Sequence, residues 1–402
     1  MNTDSVEILK QLVEFPTYQE TPDKIPEGMK ECSSFLSDHL KALGFKVGVD
    51  ELLNITAERE FDGRDDFLVN SHFDTVPPSS EWIDAREPKI KGKRLIGLGS
   101  SDAKGGIAAT LSALYRLGDC KFRKLIVQFV NYEDNAIEYG GQKWLGMPYF
   151  LSKNPKFKAD YGINVEPTVE GNKFSVSVGC GGRVSFEVKT KGKEAHSSEP
   201  DKGKNAIYDM IRVIEAIKEI PSGKYKLDNF EAKMPINVAE IHGGRAINIV
   251  PGDCTIKCER RILPGEDPEK IKQTIKSALD KLEEIKIELN FNPRIQLPYQ
   301  VDKSEHVVLL VTDSVVRTLG YNPRIIIDVG RTDSVYLYHT AGIKTVIMGP
   351  GQGGVCHSPG EYINTDRLRE FTSVIEALLS KSYGEKITTH TPHHIEMKQK
   401  YG

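Results

Sequence analysis

Phe67-Leu-Val-Asn-Ser-His72-Phe-Asp74-Thr-Val-Pro77 carries a short apolar strand, Phe67 to Val69, straight into a histidine and a carboxylate. The arrangement recurs in Leu125-Ile-Val-Gln-Phe-Val-Asn-Tyr-Glu133-Asp134, in Ile163-Asn-Val-Glu166-Pro and in Thr345-Val-Ile-Met-Gly-Pro-Gly-Gln-Gly-Gly-Val-Cys-His357. Helical patterns separate these runs in the first part of the chain, and strands alternating with helices argue for a mostly parallel sheet with helices on both faces. In open α/β sheets ligands bind beyond the carboxyl ends of the strands, so the loops that follow the runs are expected to meet on one rim.

Outward from these runs, the pattern changes between Gly179 and Asn292. It reads as strand Val184 to Thr190, helix Ala206 to Ile220, strand Ile236 to Ile241, strand Cys254 to Ile262, helix Pro268 to Ile285 and strand Lys286 to Phe291. That β-α-β-β-α-β order is a split ferredoxin-like unit, expected as an insertion into the first domain. Tyr299 to Ser382 then returns to complete the parent sheet. The expected division is residues 1–178 and 293–384 for the parent domain, 179–292 for the insertion and 385–402 for a polar tail. Length agrees: 402 residues exceed the roughly 250 to 300 at which a single core stops growing. The tail holds His390, His393 and His394 without periodicity and reads as loosely held.

Composition removes several function classes. Lys and Arg number 54 against 57 Asp and Glu, a net charge of -3 that gives no reason to expect nucleic acid or an anionic membrane as partner. The apolar runs have strand length, well short of the roughly 20 residues a bilayer-spanning helix needs. The N-terminus is acidic and leads into an amphipathic helix (Val6, Leu9, Leu12, Val13), unlike a secretion signal, so a cytoplasmic location is expected. The six cysteines include no C-x-x-C pair, which argues against a disulfide framework or a structural zinc knot.

A fifth segment, Gly97-Leu-Gly-Ser-Ser-Asp102-Ala-Lys-Gly105-Gly106, opens the helix Ile107 to Leu117. Imidazole nitrogen and carboxylate oxygen together suit zinc, and a pair of ions would share a bridging carboxylate and a bridging water. Two divalent ions, three carboxylates and one hydroxide sum to zero charge, which is easier to bury. Each segment alone has a plainer reading: Asp102 as a helix N-cap, His-x-Asp as a hydrogen-bonded turn, Glu133-Asp134 as a solvated loop, Glu166 as a strand end, His357 as a satisfied loop histidine. Their joint occurrence at strand ends favours the metal reading. Gly349-Pro-Gly-Gln-Gly-Gly354 matches a dinucleotide-binding fingerprint after a strand, but Pro359 blocks the helix that motif requires. Those glycines are expected to let the backbone pass close to the site.

Ser71-His72-Phe73-Asp74-Thr75-Val76-Pro77, Gly99-Ser-Ser-Asp102-Ala-Lys-Gly-Gly106 and His357-Ser-Pro-Gly-Glu361 resemble the metallopeptidases and amidohydrolases that include acetylornithine deacetylase, succinyl-diaminopimelate desuccinylase, aminoacylase and glutamate carboxypeptidases. The resemblance runs from about Leu9 to Leu379. It implies two zinc ions per chain, with cobalt or manganese as substitutes: Asp102 bridges them, His72 and Glu166 complete one, Asp134 and His357 the other. Glu133 would be the general base and Asp74 would hold the His72 ring. In the insertion, Glu194-Ala-His196-Ser-Ser resembles the segment that supplies a histidine to the substrate carbonyl, often across a dimer interface. Asn248 and Arg261 resemble a clamp on the substrate carboxylate, and Thr332 with Asp333 a substrate-lining loop.

The sequence also departs from the family pattern. Asp134 stands where a second glutamate is usual, which shortens that ligand by one methylene, and Arg331 is expected to narrow the substrate range. Glu166, where aminopeptidases and dipeptidases tend to carry Asp, favours an N-acyl amino acid deacylase or a carboxypeptidase. The expected reaction is amide hydrolysis of an N-acyl amino acid by a metal-bridging hydroxide, in a homodimer. A metallo-carboxypeptidase or dipeptidase acting on short peptides is the near alternative, and a non-catalytic metal-binding homologue the distant one.

Overall fold

Phe67 and Leu68 send their side chains to opposite faces of the strand Arg64–His72, and both faces are covered by helices. Adjacent strand residues alternate, so a strand buried on both sides reads as an unbroken apolar run. On one face Phe67 and Val69 pack under Ser5–Glu14, Lys104–Arg116 and Thr365–Leu379; on the other Leu68, Ile126 and Val130 pack under Gly146–Lys153 and Ser334–His339. The computed structural model describes residues 3–381, apart from residues 20, 22, 229 and 294. The tail histidines His390, His393 and His394 therefore lie outside the described residues.

Among the described residues the sheet has ten strands, and the strands at its centre, Phe122–Val130, Arg64–His72, Tyr161–Asn164 and Lys344–Ile347, run parallel in that order. Toward both margins the pairing turns antiparallel, through Ile55–Glu60 on one side and Lys173–Cys180 on the other. The mostly parallel arrangement thus belongs to the centre, where the apolar runs are. All the central strands end on one side of the sheet. His72 closes one of them, Glu133 and Asp134 follow the next, Glu166 follows the third, and His357 lies in the loop after the fourth.

After Cys180 the chain leaves this sheet and builds a second, antiparallel one ordered Ile236–Gly243, Asp253–Ile262, Gly182–Lys191, Lys286–Phe291. The strand Gly182–Lys191 is alternately buried and half-exposed, because one face packs on the helices Ala206–Lys218 and Pro268–Leu279. The second helix stops at Leu279, earlier than its sequence pattern suggested. A hairpin absent from the sequence reading, Gly223–Leu227 with Phe230–Met234, spans the two sheets. Its Tyr225, Leu227 and Phe230 pack against the core of the first, and Tyr225 donates a hydrogen bond to Gln300 at 2.8 Å.

Candidate metal centre and substrate cavity

Asp102 divides its carboxylate between two histidines. Oδ1 lies 3.1 Å from His72 Nε2 and Oδ2 lies 3.4 Å from His357 Nε2. Glu166 Oε2 stands 3.4 Å from the same nitrogen of His72, and Asp134 Oδ1 stands 3.4 Å from the same nitrogen of His357. Five residues from five segments thus form two sets that share Asp102. The helix-cap reading of Asp102 fails: Ala103 occupies the cap position of Lys104–Arg116 and no side chain caps that helix.

Asp74 ties the sets together from behind. Its oxygens accept the backbone N–H groups of Glu133 at 3.0 Å and Asp134 at 3.1 Å. Its carbonyl oxygen lies 3.1 Å from His72 Nδ1. A carbonyl can only accept, so in the neutral ring the proton belongs on Nδ1 and the Nε2 lone pair faces Asp102 and Glu166. Because Asp74 draws in the backbone of residues 133 and 134, the shorter side chain of Asp134 still comes within 3.4 Å of His357. His357 itself sits at φ 57°, in the left-handed region that non-glycine residues seldom occupy, a strain found typically where a functional side chain must be aimed.

The charges explain what the arrangement lacks. Burial resists charging the His72 ring, yet Glu166, Asp102 and Asp74 outweigh it and hold the imidazole well above its ordinary range. Asp102 and Asp134 push His357 up to about 10. Burial pushes Glu166 up to about 8 and raises Asp134 and Glu133 as well, whereas at Asp102 the two histidines overcome burial and hold the carboxyl well down. Glu133 Oε1, Asp134 Oδ2 and both oxygens of Asp333 are buried without a hydrogen-bond partner. Too few protein cations face too many acceptors, and that deficit is what divalent ions correct.

The spacing fits them. Ligands about 2.1 Å from a tetrahedral ion stand about 3.4 Å apart, and the separations above are 3.1 to 3.4 Å. The ligand atoms of His72, Asp102 and Glu166 all lie within 4.8 Å of one another. His72, Asp74 and Asp134 meet the same distance test. Both oxygens of Asp74 accept backbone N–H groups, those of Glu133 and Asp134.

Residues 178–286 match a peptidase dimerisation domain. Acetylornithine deacetylase of Myxococcus xanthus is 29% identical over 359 residues, covering 86% of this chain and 87% of its own length. The enzyme of the same name from Vibrio parahaemolyticus is 26% identical over 94% of this chain and 98% of its own. Among solved structures, a Staphylococcus aureus tripeptidase covers 94% of this chain and 98% of its own with a TM-score of 0.74 at 23% identity. A metallo-carboxypeptidase of Sulfolobus solfataricus has the same coverage and TM-score at 20% identity. The chain is a relative of the acetylornithine deacetylases and shares its fold with metallopeptidases.

In this metallohydrolase the two ligand sets form the floor of a cavity of about 440 Å³ between the two sheets. Thr332 and Arg261 line it, as do Arg183, Asp328, Arg331 and Cys356. A larger hollow of about 600 Å³ lies around Gly63, Lys121 and His306, away from the histidines. Arg331 turns from the open cavity toward Glu133: Nη2 donates to the Glu133 carbonyl at 2.6 Å and lies 3.3 Å from Oε1. The substrate-narrowing role expected of it is thus joined by a structural one.

Two expected substrate residues are not in the cavity of their own chain. Asn248 and His196 do not line it. Both are exposed and adjacent, the Asn248 carbonyl accepting Ser197 N–H at 3.1 Å while His196 bridges to Ile249. Within one chain Asn248 and Arg261 do not meet: Asn248 precedes the strand Asp253–Ile262 and Arg261 lies next to its far end, a run of about 27 Å. One functional residue had no separate reading in the sequence. Glu361, buried, accepts Ser101 N–H at 2.8 Å, Asp102 N–H at 3.0 Å and Gly99 N–H at 3.1 Å, fixing the loop that presents Asp102.

Proposed function

We propose that this protein hydrolyses the amide bond of an N-acyl amino acid, as the acetylornithine deacetylases it is similar to do by name. The carrying observation is Asp102 set between His72 and His357, with Glu166 and Asp134 completing the two sets and Glu133 beside them. His72, Asp102 and Glu166 would hold one zinc ion and Asp134, Asp102 and His357 the other, with cobalt or manganese able to replace them. When bound, the ions would supply Lewis acidity and make the attacking water acidic enough to act near neutral pH.

The side chains supply the rest. Glu133, raised by burial and held in place by Arg331, takes a proton from the attacking water and returns it to the nitrogen of the departing amine. Arg261 anchors the substrate carboxylate, which places the scissile carbonyl over the histidine floor. Thr332 lines the wall beside it. His196 and Asn248, exposed and outside their own cavity, serve the cavity of a second copy, so the working unit is a homodimer. No helix of the described residues is long and apolar enough to cross a membrane, and we assign the enzyme to the cytoplasm.

A panel of N-acetyl and N-succinyl amino acids assayed against dipeptides, with added zinc or cobalt, tests the reading. Release of a free amino acid from the acylated compounds supports it. Cleavage confined to the dipeptides would assign the protein to peptide hydrolysis instead.

A further inference from the structure

The parallel sheet gathers a second set of strand ends, on the side away from the metal centre. Arg64, Phe122 and Tyr161 open the strands Arg64–His72, Phe122–Val130 and Tyr161–Asn164, and all three line the hollow of about 600 Å³. Arg64 and His72 are the two ends of one strand, about 26 Å apart, so a small molecule in the hollow does not reach the metal ligands. The hollow is larger than the catalytic cavity of about 440 Å³ and has the size of a small-molecule site, roughly 300 to 1,000 Å³.

One part of its wall is apolar. The Tyr161 ring stands edge-on to His306, with 5.2 Å between ring centres, and edge-on to Phe122 at 6.3 Å. Leu310 and Ala377 extend this wall from the helices His306–Leu319 and Thr365–Leu379. Gly63 lets the facing turn close against it, since a Cβ there would lie 2.2 Å from the Phe122 carbonyl carbon.

The rest of the wall is charged. Four basic side chains, Arg64, Lys121, Arg317 and Lys381, face three carboxylates, Asp62, Asp65 and Asp313, which leaves one positive charge in excess. Arg317 pairs with Asp313 at 2.7 Å, and Asp65 accepts the Tyr161 hydroxyl at 2.6 Å. Lys381 reaches the Asp62 carbonyl at 3.5 Å. Lys121 is different: among the described residues no acceptor lies within hydrogen-bond or ion-pair distance of its Nζ, which stands 5.4 Å from the centre of the Phe122 ring. A largely buried ammonium without an acceptor is costly, and burial accordingly pushes Lys121 down to about 8. An anion in the hollow relieves that cost.

We propose that this hollow is a second small-molecule site, for a monocarboxylate carrying an apolar ring, with Lys121 on the carboxylate and Phe122, Tyr161 and Leu310 around the ring. A single carboxylate matches the excess charge. A neutral molecule leaves Lys121 unpaired, and a dianion overshoots the excess by one. The site stands apart from the amide-hydrolase reading, because none of its residues takes part in that chemistry.

Calorimetric titration of 3-phenylpropionate into the metal-loaded protein tests the proposal. The wild type should bind it with a Kd at or below about 1 mM, the strength expected of so small a ligand. Propionate, which lacks the ring, and 3-phenylpropionamide, which lacks the charge, should each bind more than about tenfold weaker. Lys121→Met should weaken 3-phenylpropionate more than about tenfold, and Arg261→Met, in the catalytic cavity, should leave it within about twofold. No binding up to about 10 mM, an amide as tight as the acid, or affinity kept in Lys121→Met or lost in Arg261→Met would each overturn the assignment. Should Lys121→Met not fold, labelling of the wild type decides. Under brief treatment with acetic anhydride, mapped by peptide mass, saturating 3-phenylpropionate should slow acetylation of Lys121 more than about tenfold and leave the exposed Lys30 unchanged. Equal labelling of Lys121 with and without the ligand refutes the site.

Discussion

Glu361 Oε1 accepts the backbone N–H of Asp102 at 3.0 Å, across 259 residues of sequence. The same carboxylate also takes the N–H groups of Ser101 and Gly99, so three donors of one loop end on a single buried side chain. Glu361→Ala strands all three, at a cost of about 3 kcal/mol or more, since each buried unsatisfied donor costs about 1 to 3. The loop also presents Asp102 to both histidines. We therefore expect a lower denaturant midpoint together with metal lost on dialysis, read by chemical unfolding and by elemental analysis. Wild-type values in both would show that the loop holds its shape without Glu361.

Glu133 stands apart from the ligands in what its loss should do. Its carboxylate serves neither ligand set, and its backbone N–H and carbonyl, bonded to Asp74 and Arg331, survive any side-chain change. Glu133→Ala should keep close to two metal ions per chain while kcat falls about 10²- to 10⁴-fold, the usual contribution of a general base. Unchanged turnover at full metal content would remove Glu133 from the mechanism.

Metal uptake should expel protons. Burial pushes Glu166 up to about 8, and Asp102 and Asp134 push His357 up to about 10, so at pH 7 both hold protons that coordination must displace. Binding is then opposed at low pH and eased as pH rises through 8 toward 10, because fewer protons remain to be removed. Calorimetric titration of zinc into the stripped protein, in buffers of different ionisation enthalpy, should show more than one proton released per chain at pH 7 and fewer at pH 9. Release that is absent, or that grows with pH, would contradict the assigned ligands.

These residues differ in how far the chain alone reveals them. His72, Asp102, Glu133, Asp134, Glu166 and His357 are legible because each lies at or after the end of an apolar run or in the loop before a helix, and a parallel sheet gathers such ends by construction. Glu361 sits in a recognisable segment, but its work is to accept backbone donors some 260 residues away, a relation with no local signature. Arg183 and Arg261 become neighbours only through strand register, and Asp328 joins them only where the insertion leaves the parent sheet. The hairpin Gly223–Leu227 with Phe230–Met234 alternates apolar and polar residues plainly enough, yet what it packs against is decided by tertiary placement. Asn248 shows where a single chain is not enough. The resemblance groups it with Arg261, and within one chain the extended strand between them keeps the two at opposite ends of the inserted sheet.

That separation makes the subunit origin of His196 measurable. His196 and Asn248 lie side by side on the exposed end of the insertion, and neither lines its own cavity. If a second copy supplies them, a dimer pairing Glu133→Ala with His196→Ala has one complete site: the His196→Ala chain keeps Glu133 and borrows His196 from its partner. Its other site lacks both residues. Random reassortment puts about half the chains' dimers in the mixed form, so a mixture of the two inactive variants should recover about one quarter of wild-type activity after subunit exchange. Were His196 to act within its own chain, each site would still lack one residue and no activity would return, however long the exchange.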